Sequence, residues 1–142
     1  MAIDPFVQNL LDADQSLEWL GISVTHAEGG FATAELRVGP HMGNGHRVAH
    51  GGVVFALADT AFAMAANSVL HGAPTADASI VYLAPSPIGE KLIASAQVTY
   101  SDQRRAVVDV SVQAGERVVA VYRGTARTAR QQSSPIGATS EE

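Results

Sequence analysis

HGGVVFALADTAFAMAANS, residues 50–68, is the stretch on which the architecture turns. After its two glycines it is apolar on every face, and Asp59 is the only charged residue between Arg47 and Asp77. A run of this length could span a bilayer. Residues 53–70, however, contain Asp59, Thr60, Asn67 and Ser68 and are rich in alanine rather than leucine, so a helix buried in protein is expected instead. An amphipathic surface helix needs one covering layer, whereas a helix that is apolar all round must be covered on all sides.

The flanking sequence supplies the cover. Residues 22–28 and 31–38 read as strands joined by a turn at Gly29-Gly30. Residues 39–50 hold three glycines and a proline and form a loop. Past Pro74 the period changes to two. Residues 74–84 make a strand ending at Pro85. Leu92, Ala94, Ala96, Val98 and Tyr100 share a face, then Ala106, Val108, Val110 and Val112, then Val118, Ala120 and Tyr122. Ser101-Asp102-Gln103 and Gly115-Glu116 are the turns. One short N-terminal helix is expected over 3–20, with Asp4 as N-cap and Pro5 at N1. The expected class is α+β: a curved antiparallel sheet of about six strands wrapped around one long helix, the hotdog arrangement. One domain, 1–128, is followed by a tail, 129–142, that reads as disordered.

Composition agrees with a globular chain. The 142 residues are 46% hydrophobic and 16% charged, with a formal net charge of -5. That balance argues against a nucleic-acid partner. Six of the nine basic residues nevertheless lie in the last 39, which leaves room for a local anion site. The absence of cysteine excludes disulfides and thiolate chemistry, and the acidic N-terminus lacks the basic region of a signal peptide. A cytoplasmic protein without a membrane anchor is expected.

Two features of the helix carry chemistry. Its first backbone N–H groups have no intrahelical partner, and Gly51 and Gly52 let a ligand oxygen approach them at the positive end of the helix dipole. Such donors suit an oxyanion. Asp59 is the second feature. It is a poor helix-interior residue with no basic partner within two turns on its own helix, and it is suited to act as general base or nucleophile. Eight residues separate Gly51 from Asp59, which places them about 12 Å apart along one helix. Both can act on one carbonyl only if Asp59 comes from a second copy, its helix antiparallel across a twofold axis near Phe55. A homodimer with shared sites follows as an expectation.

The run from Asn44 to Ser68 closely resembles the phenylacetate-degradation (PaaI-type) thioesterases of the hotdog superfamily. A looser likeness over 17–128 includes Tyr-Leu-Ala-Pro at 82–85, Gly89-Glu90 and Tyr122-Arg123-Gly124. The resemblance implies hydrolysis of aromatic or hydroxyaromatic acyl-CoA thioesters without a cofactor or metal. Asp59 matches the catalytic carboxylate, Gly51 the donor that polarises the thioester carbonyl, Asn44 and His50 polar residues lining the site, and Thr60 a positioning hydroxyl. It also implies a homotetramer built from two dimers. Gly52 is expected to assist Gly51, and Phe55, Phe62 and Met64 to help shape the acyl pocket. Pro85, Ser86 and Pro87 are expected at the lip of the pantetheine channel. Arg104, Arg105, Arg123 and Arg127 are candidates for the coenzyme A phosphates.

Competing chemistries find less support. His41, His46 and His50 lack further metal ligands nearby. No serine stands in a nucleophile elbow, and no Walker loop occurs. A hydratase using His50 with Asp59, a thioesterase for medium-chain acyl groups, and a non-catalytic acyl-CoA binder remain as alternatives.

Overall fold

The computed structural model describes residues 2–129. The expected N-terminal helix is two helices, α1 (Pro5–Ala13) and α2 (Ser16–Leu20). Asp4 caps the first, accepting from the N–H groups of Phe6 at 2.8 Å and Val7 at 3.2 Å. The break comes at Asp14, whose carboxylate accepts from the Ser16 N–H at 2.9 Å and also from its hydroxyl. A short acidic side chain bonding its own backbone competes with helix continuation there. Gly21, at φ 75, closes α2.

Six strands follow in one antiparallel sheet: β1 (Ile22–Glu28), β2 (Phe31–Arg37), β3 (Thr75–Tyr82), β4 (Lys91–Ser101), β5 (Arg105–Ala114) and β6 (Arg117–Arg127), in the order β1-β2-β4-β5-β6-β3. The long helix α3 (Gly51–Asn67) carries the chain from β2 across the sheet to β3 at the far edge. It packs chiefly on β2, β4 and β5. Small residues make that packing close. Ala32, Ala34, Ala94 and Ala96 of the sheet and Ala58, Ala61 and Ala65 of the helix are all buried. No described helix is long and apolar enough to cross a membrane.

Three expectations about burial need correction. The chain's own sheet covers α3 on one side only. Phe55, Ala56, Asp59, Thr60 and Ala63 stay half-buried and Gly52 is exposed, at steps of three and four that make one stripe along the helix. In β4 the alternation fails at a register shift between Val98 and Tyr100, so Tyr100 is 55% exposed. In β6 Val119, not Val118, is buried, because a shift at Val112/Gln113 inserts one residue into the pairing with β5. The two sheet edges also differ. Residues 2–4 bond to Ala27 of β1, whereas β3 is exposed along most of its length. The expected tail lies, beyond residue 129, outside the described residues.

Candidate active site

The entry to α3 is built by the loop before it. Asn44 accepts through Oδ1 from the N–H groups of His46 at 2.8 Å and Val48 at 3.4 Å, and its own N–H donates to the Val48 carbonyl. This closes a tight loop in which Arg47 takes φ 62. The Ala49 N–H donates to the Ser86 carbonyl at 2.8 Å, tying the loop to residues 84–88. His50 then caps the helix: its Nδ1 accepts from the Gly52 N–H at 2.9 Å. Asn44 and His50 are thus brought to the helix start as its scaffold. The Gly52 N–H is already occupied, and its expected role as a second free donor does not fit this arrangement. The Gly51 N–H is left without a hydrogen-bond partner among the described residues.

A pocket of about 350 Å³ opens beside Gly51, lined by Val54, Tyr82, Pro85, Ser86 and Val119 among others. The Tyr82 hydroxyl donates to the Gly51 carbonyl at 2.8 Å. A β-carbon at Gly51 would stand 3.2 Å from that ring, so glycine is what allows the close approach. Ser86 is buried, and its hydroxyl has no partner among the described residues.

Asp59 lies two turns further on, half-buried on the open stripe. Its Oδ1 accepts from the Tyr122 hydroxyl at 2.7 Å, and its other oxygen has no protein donor among the described residues. Tyr122 is 3% exposed and sits between Phe55, edge-on at 5.4 Å, and Phe62 at 5.6 Å. Burial pushes its phenol far up, and the bond to Asp59 and the charges of Asp59 and Asp77 add to the effect. The phenol therefore stays a donor. The Thr60 hydroxyl donates to the Ala56 carbonyl of its own helix at 2.7 Å.

The arginines do not gather at this entrance. Arg123 faces away from the helix and makes a bidentate pair with Asp109, holding that carboxyl below its ordinary range. Arg105 pairs with Asp102 at 3.4 Å in the β4–β5 turn. Backbone N–H groups, the Tyr100 hydroxyl and Arg105 hold Asp102 at about 2. Arg104 is half-buried in the same turn, with no ion pair among the described residues. That turn lies roughly 23 Å along β5 from the row of Tyr82, Ala120 and Val112 beside Gly51. His41 and His46 are exposed, and no cluster of three metal-ligating side chains occurs among the described residues.

Sequence reasoning missed two tyrosines. The period-two pattern makes Tyr122 an inward-facing core residue, and its polar tip is the available signal, since a buried hydroxyl needs an acceptor. Tyr82 entered only as part of a likeness, with nothing local to link it to Gly51.

Known proteins resemble this chain in sequence and in fold. A family model described as the thioesterase superfamily matches residues 46–121. The acyl-coenzyme A thioesterase PaaI of Escherichia coli K12 is 37% identical over 116 residues, covering 81% of this chain and 83% of that protein. The solved structure of the E. coli PaaI protein from the phenylacetic acid degradation operon superposes with a TM-score of 0.84 at 32% identity, covering 90% of this chain and 96% of that one. A Streptococcus mutans protein solved with acetyl-CoA bound gives a TM-score of 0.72 at 26% identity, covering 78% and 91%. The chain packs a helix opened by a bare amide on a six-stranded sheet, is matched over most of its length by such relatives, and belongs to the thioesterase superfamily as a PaaI-type hotdog thioester hydrolase.

Proposed function

We propose that this enzyme hydrolyses aromatic or hydroxyaromatic, phenylacetyl-type, acyl-CoA thioesters to the free acid and coenzyme A, in the cytoplasm and without a cofactor. The observation that carries the chemistry is a Gly51 N–H that has no partner among the described residues, at the mouth of a pocket and two turns from a carboxylate with one oxygen that has no protein donor among them. The substrate class rests on the similarity to E. coli PaaI.

The thioester carbonyl oxygen accepts from Gly51, where the growing negative charge meets an amide at the positive helix end. Asp59 of a second copy removes a proton from water as its oxygen bonds to the carbonyl carbon. The C–S bond then breaks, and the sulfur leaves as the coenzyme A thiol, taking up that proton. Direct attack by the carboxylate, followed by hydrolysis of the anhydride, gives the same products. His50 and Asn44 hold the loop that presents the amide, Phe55 stands between the two functional positions, and Pro85 and Ser86 border the channel. Thr60, bonded into its own helix, flanks the carboxylate.

The shared site requires a homodimer. Two features support it: the open stripe on α3, and the exposed β3 edge, where Val81, Tyr82 and Leu83 are 57%, 51% and 55% exposed. An uncapped edge strand beside an uncovered apolar stripe favours a second copy. Dimers pair into a tetramer in this reading, with Phe31 and Val121 exposed on the outer sheet face. Among the phosphate candidates Arg104 has no carboxylate partner among the described residues, whereas Arg105 and Arg123 would have to share theirs.

The test is thiol release from a panel of aromatic, hydroxyaromatic and straight-chain acyl-CoA thioesters. The highest kcat/KM is expected for the aromatic members. A preference for medium-length straight chains would replace the substrate class. Enoyl hydration without thiol release would replace the reaction, and tight binding without turnover would remove it.

A further inference from the structure

Tyr122 does something that core packing alone does not require. Its ring fills the space between Phe55 and Phe62, and a phenylalanine would fill that space as well. The hydroxyl adds a polar group in a residue only 3% exposed, a costly placement unless an acceptor is at hand. Asp59 Oδ1, at 2.7 Å, is that acceptor.

Asp59, for its part, stands on the side of α3 that the chain's own sheet leaves open. A carboxylate there has two side-chain torsions free to move. The Tyr122 bond fixes one oxygen and leaves the other without a protein donor among the described residues. Tyr122 is itself held. Phe55 meets its ring edge-on, and Phe62 abuts it while resting on bare Gly124, where a β-carbon would come within 2.7 Å of the Phe62 ring.

The charged surroundings are sparse. Asp59 is the only charged group on α3, and the inward residues of β5 are Ala106, Val108, Val110, Val112 and Ala114. From β3 only the charge of Asp77 is felt at Tyr122. No cation from these elements competes for the carboxylate.

From these contacts we infer that Tyr122 is a positioning residue: by donating to one carboxylate oxygen it presents the other to the thioester. The inference rests on the reading of Asp59 as the acting acid. It assigns Gly124, Phe62 and Tyr122 to one supporting chain from β6 to the site.

The experiment compares Tyr122→Phe with wild type in the full chain, by steady-state thiol release and thermal melting, and repeats the substitution in an Asp59→Asn background. Because the ring is retained, the melting temperature is expected to stay within a few degrees. With the carboxylate free to swing, kcat is expected to fall about tenfold with KM unchanged. In the Asp59→Asn background the residual turnover is expected not to fall further, because the two residues act as one unit. Wild-type kcat in Tyr122→Phe, alongside an inactive Asp59→Asn, would overturn this proposal and leave the Asp59 reading standing. So would an equal proportional loss in both backgrounds. Wild-type turnover in Asp59→Asn would overturn both.

Discussion

Replacing Asp59 by asparagine or by alanine separates its chemistry from its place in the fold. Asparagine keeps the shape and an oxygen that can accept from Tyr122. Alanine removes the acceptor and leaves the Tyr122 hydroxyl, in a residue 3% exposed, with nothing to bond. An unsatisfied buried hydroxyl costs about 1–3 kcal/mol. Alanine returns up to roughly 0.7 kcal/mol as the better helix former. The net loss is about 0.3–3 kcal/mol, and at roughly 3 °C per kcal/mol for a chain of this length the alanine variant should melt about 1–9 °C below wild type. The asparagine variant should melt close to wild type. Catalysis should order the three proteins differently. Losing a general base costs about 10²–10⁴ in rate, or roughly 3–5 kcal/mol of barrier, and both variants lose it. Thiol release from a saturating acyl-CoA substrate, beside calorimetry on the same samples, reads both quantities. An asparagine variant within a few-fold of wild-type kcat would refute the catalytic assignment. An alanine variant melting at or above wild type would refute the energetic weight given to the Tyr122 bond.

Gly124→Ala places a methyl 2.7 Å from the ring of Phe62, which at 1% exposure has nowhere to swing. Overpacking of this kind should cost about 1–3 kcal/mol and lower the melting temperature by roughly 3–10 °C, and an unchanged melt would show that the notch is looser than the contact implies. Asp109→Asn tests the outer-face ion pair through pH. Arg123 holds the Asp109 carboxyl below its ordinary value, so the pair's stabilisation is present above the unfolded carboxylate pKa, about 3.9, and is lost as pH falls through the lower folded one. The wild-type advantage in melting temperature should therefore be small and steady near neutral pH, shrink below about pH 4 and weaken in high salt. A gap that widens on acidification would contradict it.

The parts of this fold that were legible are those that local physics determines. Gly51-Gly52 marks the start of α3, and Asp59 stood out because nothing near it in sequence could neutralise it. Hairpin turns at Gly29-Gly30 and Gly115-Glu116 gave strand ends that agree with the structure. The break at Asp14 was readable in principle, since an aspartate followed two residues later by serine bonds its own backbone. What stayed hidden depends on cross-strand register. Counted straight back from the Gly115-Glu116 turn, where Ala114 meets Arg117, Asp109 would face Tyr122. The one-residue shift at Val112/Gln113 instead sets Asp109 against Arg123 and Val110 against Tyr122. That single insertion makes the Arg123–Asp109 pair on the outer face and turns Val119 inward in place of Val118.

The same register fixes how the tools of the proposed reaction are distributed. Tyr82 and Tyr122 sit on neighbouring strands, β3 and β6, one bonded to the carbonyl of Gly51 and the other to the carboxylate of Asp59. Ile80, between them in the pairing, lies directly opposite Tyr122. The two strands thus reach the two functional positions of one helix about 12 Å apart, a spacing that neither tyrosine shortens. Bonds within one chain can orient each group but cannot bring them together. In the proposed dimer, the uncovered stripe on α3 and the exposed edge of β3 form the surface on which the amide of one chain meets the carboxylate of the other.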